Sequence, residues 1–278
     1  VVGGRCEYTI LSPVYNEGEN IERHLRGIER HARGDYEIVL VYDFEEDETL
    51  PAIHAMDPPV ERLRLVKNAF GRGVVNAVRT GFRASRAWLG AVVTMADLSD
   101  PPVHISELVD KLREGYDVVA ASRYMPGGRQ HGGQLLKRTL SRAAGVAARW
   151  ITGIGIHDVT TNYRAYSRRL MDVVPIESTG AFELGLELTV KGHLLGWPVG
   201  EIPADWFDRC AGESKFHFWK LLPGYLRWYL KLIAGDPLGL RSRGKWHAPR
   251  PSNYKYFGVY DTPGYGWTVQ RFRPGVVI

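Results

Sequence analysis

The sequence predicts an α/β protein with a mostly parallel central sheet. Three observations carry this. From Glu7 onward, short apolar runs alternate with helical patterns. The runs are rich in Val, Ile and Leu without alternation, as in strands buried on both faces. Polar and acidic residues then follow directly on the runs.

In chain order, Tyr8 to Ser12 reads as the first strand. Asn16 is placed to cap the first helix with Glu19 as its capping-box partner, and Ile21, Leu25 and Ile28 recur at i, i+4 and i+7. Strands are expected at Glu37 to Tyr42, Leu63 to Val66, Ala91 to Met95 and Val118 to Ala121. Ile105, Leu108, Val109 and Leu112 mark another helix, and helical patterns run from Leu135 to Trp150 and from Phe182 to His193. After Gly212 the text FHFWKLLPGYLRWYLKLI reads as two short amphipathic helices meeting at a kink at Pro223 and Gly224. With a continuous phase, Lys220, Arg227 and Lys231 would form a narrow basic stripe opposite an apolar face, a pattern suited to a membrane interface. From Leu240 the chain becomes an irregular tail rich in Pro, Gly, Arg and aromatic residues. The expected division is 1–212, an α/β catalytic domain; 213–240, interfacial helices; and 241–278, a basic aromatic tail.

Composition narrows the function classes. The chain has 278 residues, 44% hydrophobic and 24% charged, which suits a globular domain with a sizeable core. Its two cysteines, Cys6 and Cys210, exclude a disulfide framework and a Cys-rich zinc module, and favour a reducing, cytoplasmic setting. No apolar stretch reaches the roughly 18 residues of a spanning helix, and the first residues lack a signal-peptide pattern. The net charge of +5 is concentrated in residues 241–278, where seven Lys/Arg face only Asp261. A nucleic-acid binder would spread basic charge over the folded part, so no nucleic-acid partner is expected.

Ligands of open α/β sheets sit beyond the carboxyl ends of the strands. The turns there carry Pro13, Tyr15, Asn16 and Glu17; then Asp43 and the run Glu45 to Glu48; then Asp97, Ser99 and Asp100. Acidic turns sharing a rim suit a hard cation such as Mg²⁺ or Mn²⁺, which keeps waters and substrate phosphates as its other ligands. A carboxylate ending a buried strand is costly unless used, which singles out Asp97; Glu45 to Glu48 read as a solvated acidic loop. His104, His131 and His157 read as structural.

The segments SPVYNEGENI, VYDFEEDET, GRGVVNAVRTGF, VVTMADLSDPP, AASRYMPGG, HDVTTNYRAYS and GEIPADWFDRCAGESKF, in this order, resemble glycosyltransferase family 2. The nearest likeness is to its dolichol-phosphate mannose synthase type of polyprenyl-phosphate sugar transferases, over about residues 8–232. The resemblance implies a GT-A fold, Rossmann-like and mostly parallel. It also implies inverting transfer from a nucleotide-diphosphate sugar (GDP- or UDP-sugar) to a polyprenyl phosphate, with Mg²⁺ or Mn²⁺, by an enzyme peripheral at a membrane. Carried over, Pro13, Tyr15 and Glu17 line the nucleoside pocket, Asp43 accepts from the base, and Gly71, Arg72 and Gly73 approach the donor. Asp97, helped by Ser99 and Asp100, binds the metal on the diphosphate. Arg123, Lys137 or Arg138, and Ser141 hold the acceptor phosphate. Arg209, Ser214 and Lys215 close over the donor phosphates, and Asp158 and Glu187 lie near sugar or acceptor. A turn-capping role for Asp158 and a helix-surface position for Glu187 are the alternatives.

Three positions depart from the family pattern. Met95 stands at the first acidic position of Asp-x-Asp, Tyr42 and Phe44 flank Asp43, and the basic pair Lys137–Arg138 is reversed. Transfer to a soluble glycan or natural-product acceptor, or a non-catalytic nucleotide-sugar-binding subunit, are the competing readings. The sequence leaves the oligomeric state open.

Overall fold

The computed structural model describes residues 4–132, 135–180, 183–208 and 218–235, with the side chains of 136, 137 and 218–222 outside that description. Strands β1 (Cys6–Pro13), β2 (Tyr36–Tyr42), β3 (Leu63–Lys67), β4 (Ala87–Val93), β5 (Val118–Ser122), β7 (Arg164–Ser167) and β8 (Val199–Pro203) form one sheet in the order β3-β2-β1-β4-β7-β5-β8. All its pairings are parallel except those of β7, which runs antiparallel to β4 and β5. That reversal matters for the site. The carboxyl ends of β1, β2, β4 and β5 share a rim, and because β7 points the other way, the turn preceding it, residues 158–163, reaches the same rim.

Apolar side chains alternate between two layers. On one face, Tyr8, Ile10, Ile38, Leu40 and Val92 pack against α1 (Ile21–His31) and α4 (Ile105–Arg113) through Ile21, Leu25, Ile28, Leu108 and Leu112. On the other, Leu11, Val39, Val41, Ala91 and Val93 meet α3 (Val74–Ala84), α6 (Arg168–Val173) and α7 (Leu184–Leu194). A short α2 (Thr49–His54) lies against α1. A third cluster joins Ala148 of α5 (Leu135–Thr152), Ile154, Ile156 and Val159 to Leu186, Val190 and to Trp228 and Leu232 of α8 (Phe218–Gly235). Two short strands, β6 (Arg129–His131) and β9 (Asp205–Phe207), pair in parallel beside the rim.

Several expectations are corrected. The cap of α1 is Asn20, not Asn16; Asn16 sits in the left-handed region at φ 52° and serves the loops instead. The fourth strand begins at Ala87 and ends at Val93, because residues from Thr94 turn to build the acidic loop. Residues 218–235 form one helix that passes through Pro223. The helix is no separate layer, since Trp228 and Leu232 are fully buried against α5 and α7. Its basic residues are not a bare stripe: Arg227 and Lys231 both donate to Glu177, at 2.8 and 3.1 Å. Lys220 and the tail 241–278 lie outside the described residues. Among the described residues, no helix is long and apolar enough to cross a membrane.

Candidate active site

One part of the rim is built by stitching the turn after β1 to the turn after β2. Asp47, expected in a solvated loop, is fully buried; its Oδ1 accepts from the backbone N–H of Asn16 at 3.1 Å and of Thr49 at 2.9 Å. Asn16 returns the bond by accepting from Glu48 N–H, and Glu17 N–H donates to the Thr49 hydroxyl at 3.0 Å. These bonds satisfy Asp47 Oδ1, while its buried Oδ2 has no hydrogen-bond partner among the described residues. Tyr15 is thereby held half exposed, edge-on to Phe44 at 5.6 Å, and the Arg72 guanidinium lies 4.9 Å over the same Phe44 ring. Pro13 ends β1, and the Glu17 carboxylate accepts from Asn20 at 2.8 Å.

Asp43 joins this wall to the glycine-rich loop, accepting from Asn68 Nδ2 at 2.8 Å and from Gly73 N–H at 2.9 Å. Each carboxylate oxygen has a second lone pair for another donor. Gly71 and Gly73 have φ of 87° and 112°, so the loop depends on the backbone freedom of glycine. Phe44, which departs from the family pattern, is the joint between Tyr15 and Arg72.

After β4 the chain folds into a tight acidic turn. Asp97 Oδ1 accepts from Ser99 N–H at 3.1 Å and from the Ser99 hydroxyl at 2.6 Å, while Asp100 Oδ2 accepts from Met95 N–H at 3.0 Å. All three residues, Asp97, Ser99 and Asp100, are buried, and Leu98 between them is forced to φ 64°, a strained conformation for a leucine. Carboxylate and hydroxyl oxygens suit a hard cation. Among the described residues, no three His, Cys, Asp or Glu gather into a cage, so a cation here would take its remaining ligands from substrate and water.

A second cluster on the rim gathers Arg123, Asp158, Thr160 and Ser141. The Arg123 guanidinium grips Asp158 through Nε (2.7 Å) and Nη2 (3.0 Å) and donates to the Thr160 hydroxyl at 2.7 Å, and the Ser141 hydroxyl contacts that of Thr160. Asp158, fully buried, also accepts from Thr160 N–H and Thr161 N–H, so turn-capping and ion-pairing coexist in one carboxylate. Burial alone would raise its pKa, but the adjacent Arg123 charge and hydrogen bonds outweigh this and hold it at about 2. Arg123 is sandwiched by Tyr124 at 4.9 Å and Trp206 at 5.7 Å. Helix α5 approaches closely because Gly145 leaves room: a Cβ there would lie 1.8 Å from the His157 carbonyl.

Of the reversed basic pair, exposed Arg138 is near enough to act electrostatically on Tyr124, while the Lys137 side chain lies outside the described residues. Glu187 is fully buried rather than on a helix surface, accepting from Glu177 N–H at 2.6 Å, Ser178 N–H at 2.7 Å and Lys191 at 2.7 Å. It braces the 177–178 loop. The three histidines are each held by a neighbour: His104 accepts from Asp205 N–H, the His131 ring pairs with Asp205, and the His157 ring with Glu201. Arg209, Cys210, Ser214 and Lys215 lie outside the described residues. Sequence reasoning did not single out Thr160 and Trp206, although both lie inside the family-like segments HDVTTNYRAYS and GEIPADWFDRCAGESKF.

A mostly parallel sheet whose carboxyl rim carries an acidic turn, a clamped arginine and the wall of Tyr15, Phe44 and Arg72 has the GT-A architecture. The fold matches that of glucosyl-3-phosphoglycerate synthase from Mycobacterium tuberculosis, solved with Mn²⁺, UDP and glucosyl-3-phosphoglycerate, at TM-score 0.59 and 18% identity over 84% of this chain and 80% of that one. The same enzyme with Mn²⁺, UDP-glucose and phosphoglyceric acid gives 0.60 and 17% over the same shares. The glycosyl transferase family 2 profile matches residues 9–174. The chain belongs to that family and is a glycosyltransferase. Its relatives include polyprenol monophosphomannose synthase of Mycolicibacterium smegmatis, 31% identical over 74% of this chain and 79% of the relative. Another is dolichol-phosphate mannosyltransferase of Pyrococcus furiosus, 29% identical over 81% of this chain, which spans 63% of that longer protein.

Proposed function

We propose that this glycosyltransferase moves a sugar, with inversion, from a GDP- or UDP-sugar to a polyprenyl phosphate at a membrane surface. The observation that carries the reading is the Arg123 guanidinium. Asp158 and Thr160 fix its Nε and Nη2 edge, and Nη1 makes no hydrogen bond among the described residues. An oriented guanidinium edge on the sheet rim is chemistry for an anionic acceptor oxygen. The names of the two relatives support a lipid phosphate as that anion and make mannose the first sugar to test.

In this reading the nucleoside lies against Tyr15, Phe44 and Arg72, with Asp43 accepting from a ring N–H. Glu17 and Pro13 shape the pocket floor. Asp97, with Ser99 and Asp100 beside it, would hold Mg²⁺ or Mn²⁺. When bound, the cation supplies positive charge to the leaving diphosphate. Arg209, Ser214 and Lys215, which lie outside the described residues, take from the family resemblance the role of neutralising the same phosphates. The acceptor phosphate is already ionised at neutral pH, so Arg123, Arg138 or Lys137, and Ser141 need only seat and orient it near the anomeric carbon, and no strong general base is required. Contact with the membrane falls to the side where α5 and α8 expose apolar residues: Trp150 is 82% exposed, and Leu226 and Leu230 more than half.

Incubation with GDP- and UDP-sugars, farnesyl or undecaprenyl phosphate and Mn²⁺, with products read by mass, tests this. A sugar–phosphate–polyprenol product is expected. Transfer only to soluble acceptors, or nucleotide binding without turnover, would overturn the reading in favour of one of its competitors.

A further inference from the structure

Arg164, on β7, is the one arginine among the described residues whose side chain is completely buried, and nothing in the proposed chemistry uses it directly. Its hydrogen bonds go to no carboxylate. Nε donates to the Thr161 carbonyl at 2.7 Å, Nη2 to the Asp158 carbonyl at 2.8 Å, and Nη1 to the Thr189 hydroxyl on α7 at 2.5 Å. The Thr189 hydroxyl donates to the Gly185 carbonyl at 2.7 Å, and Gly185 N–H donates to Asn162 Oδ1 at 3.1 Å. Space is kept for the guanidinium because residue 185 is glycine: a Cβ there would sit 2.9 Å from Arg164 Nε and 2.6 Å from the Thr161 carbonyl.

A buried cation without a direct counter-ion is costly. What only a planar guanidinium offers is several donors in a fixed fork, enough to clasp two carbonyls of one turn and a neighbouring helix at once. The turn so clasped, Asp158 to Thr161, presents on its outer side the carboxylate and hydroxyl that orient Arg123. We propose that Arg164 is the positioning residue of the acceptor half, holding the 158–161 turn from beneath so that Asp158 and Thr160 aim Arg123 at the acceptor phosphate. This rests on the function proposed above. The ionisable groups facing Arg164 fit the role: Asp158 above it, Tyr166 on its own strand, Glu201 of β8 and Tyr225 of α8. The cation also helps keep Asp158 ionised for Arg123.

The test compares Arg164→Gln, Arg164→Lys and Thr189→Val with the parent, using farnesyl phosphate as acceptor probe and GDP and UDP binding by calorimetry as donor probes. For Arg164→Gln, the acceptor KM should rise about tenfold or more, as expected for a broken buried hydrogen-bond set, with nucleotide Kd within about twofold of the parent. Arg164→Lys, which keeps the charge and part of the clasp, should recover most of that loss. Thr189→Val should shift the acceptor KM the same way by a smaller factor. Should Arg164→Gln not fold, the other two variants decide by the same split. Equal losses in acceptor KM and nucleotide affinity, or an unchanged acceptor KM in every folded variant, would overturn the inference while leaving the function standing. A parent enzyme that transfers nothing to farnesyl phosphate and does not bind it would overturn both.

Discussion

Asp158 shows how one side chain can be a structural cap and part of a functional site at once. Its oxygens close the turn and grip Arg123, whose charge holds the carboxyl pKa at about 2, so the pair is ionised near neutral pH. Because the folded pKa lies below the ordinary carboxylate value, the stabilisation is fully present above about pH 4 and is lost only as pH falls toward 2. Removing Arg123 altogether would strand a buried carboxylate, so the informative change is Arg123→Lys. It keeps the charge, loses the two-pronged grip, and should lower acceptor kcat/KM about a hundredfold while leaving nucleotide affinity unchanged in calorimetry. On the donor side, Asp97→Asn should weaken nucleotide-sugar binding strongly with Mn²⁺ present and little in its absence. Met95→Asp, restoring a second carboxylate, should tighten the Mn²⁺-dependent part. Activity undiminished in EDTA, with Asp97→Asn like the parent, would mean that cationic side chains alone neutralise the diphosphate.

At the scale of elements, α8 is both a packing unit and an exposed one. Trp228 and Leu232 face the core, Arg227 and Lys231 pair with Glu177, and Leu226 and Leu230 are left outward with Trp150 of α5. Membrane attachment should therefore follow the apolar residues more than the charges. The triple change Trp150→Ser, Leu226→Ser, Leu230→Ser should abolish flotation with liposomes without lowering the melting temperature, whereas raised salt alone should release only part of the protein. The elements also differ in how far the sequence disclosed them. Strands β1, β2, β3 and β5 were legible as short apolar runs, and helices α1 and α4 because their apolar residues repeat with the helical period. Strand β7 was not: RAYS is short, and the arginine in it is buried for hydrogen bonding rather than by hydrophobicity. Helix α8 was read as broken at Pro223, where tertiary packing overrides the local preference. At the site, the strand-end acids were visible from position, and the glycines through the family resemblance. The Asp158–Arg123 grip was not, since it joins segments 35 residues apart through an antiparallel strand whose existence had no signal.

For the whole molecule, the buried titratable groups set a pH response. His24 of α1 is fully buried, with Nε2 at 2.9 Å from the Ser12 hydroxyl and no partner at Nδ1; desolvation pushes its pKa down to about 4, against a weaker opposing pull from Asp97. The folded state therefore binds this proton less readily than the unfolded state. Stability contributed by neutral His24 is present above about pH 6.5 and drains away as pH falls toward 4, at up to about 1.4 kcal/mol per pH unit. Urea titrations between pH 7 and 4 should show this slope, and His24→Gln should flatten it. A different whole-molecule property follows from β9. Phe207 N–H donates to the carbonyl of Ser99 in the acidic turn at 3.1 Å, while its neighbour Trp206 covers Arg123. In the proposed function these two adjacent residues of one strand touch both substrates' seats, and we predict that filling one seat changes the free energy of filling the other, by the same factor whichever ligand arrives first. Titrating farnesyl phosphate with and without a saturating donor nucleotide, and the nucleotide with and without farnesyl phosphate, should return one shared coupling constant, and Trp206→Ala should bring it toward unity.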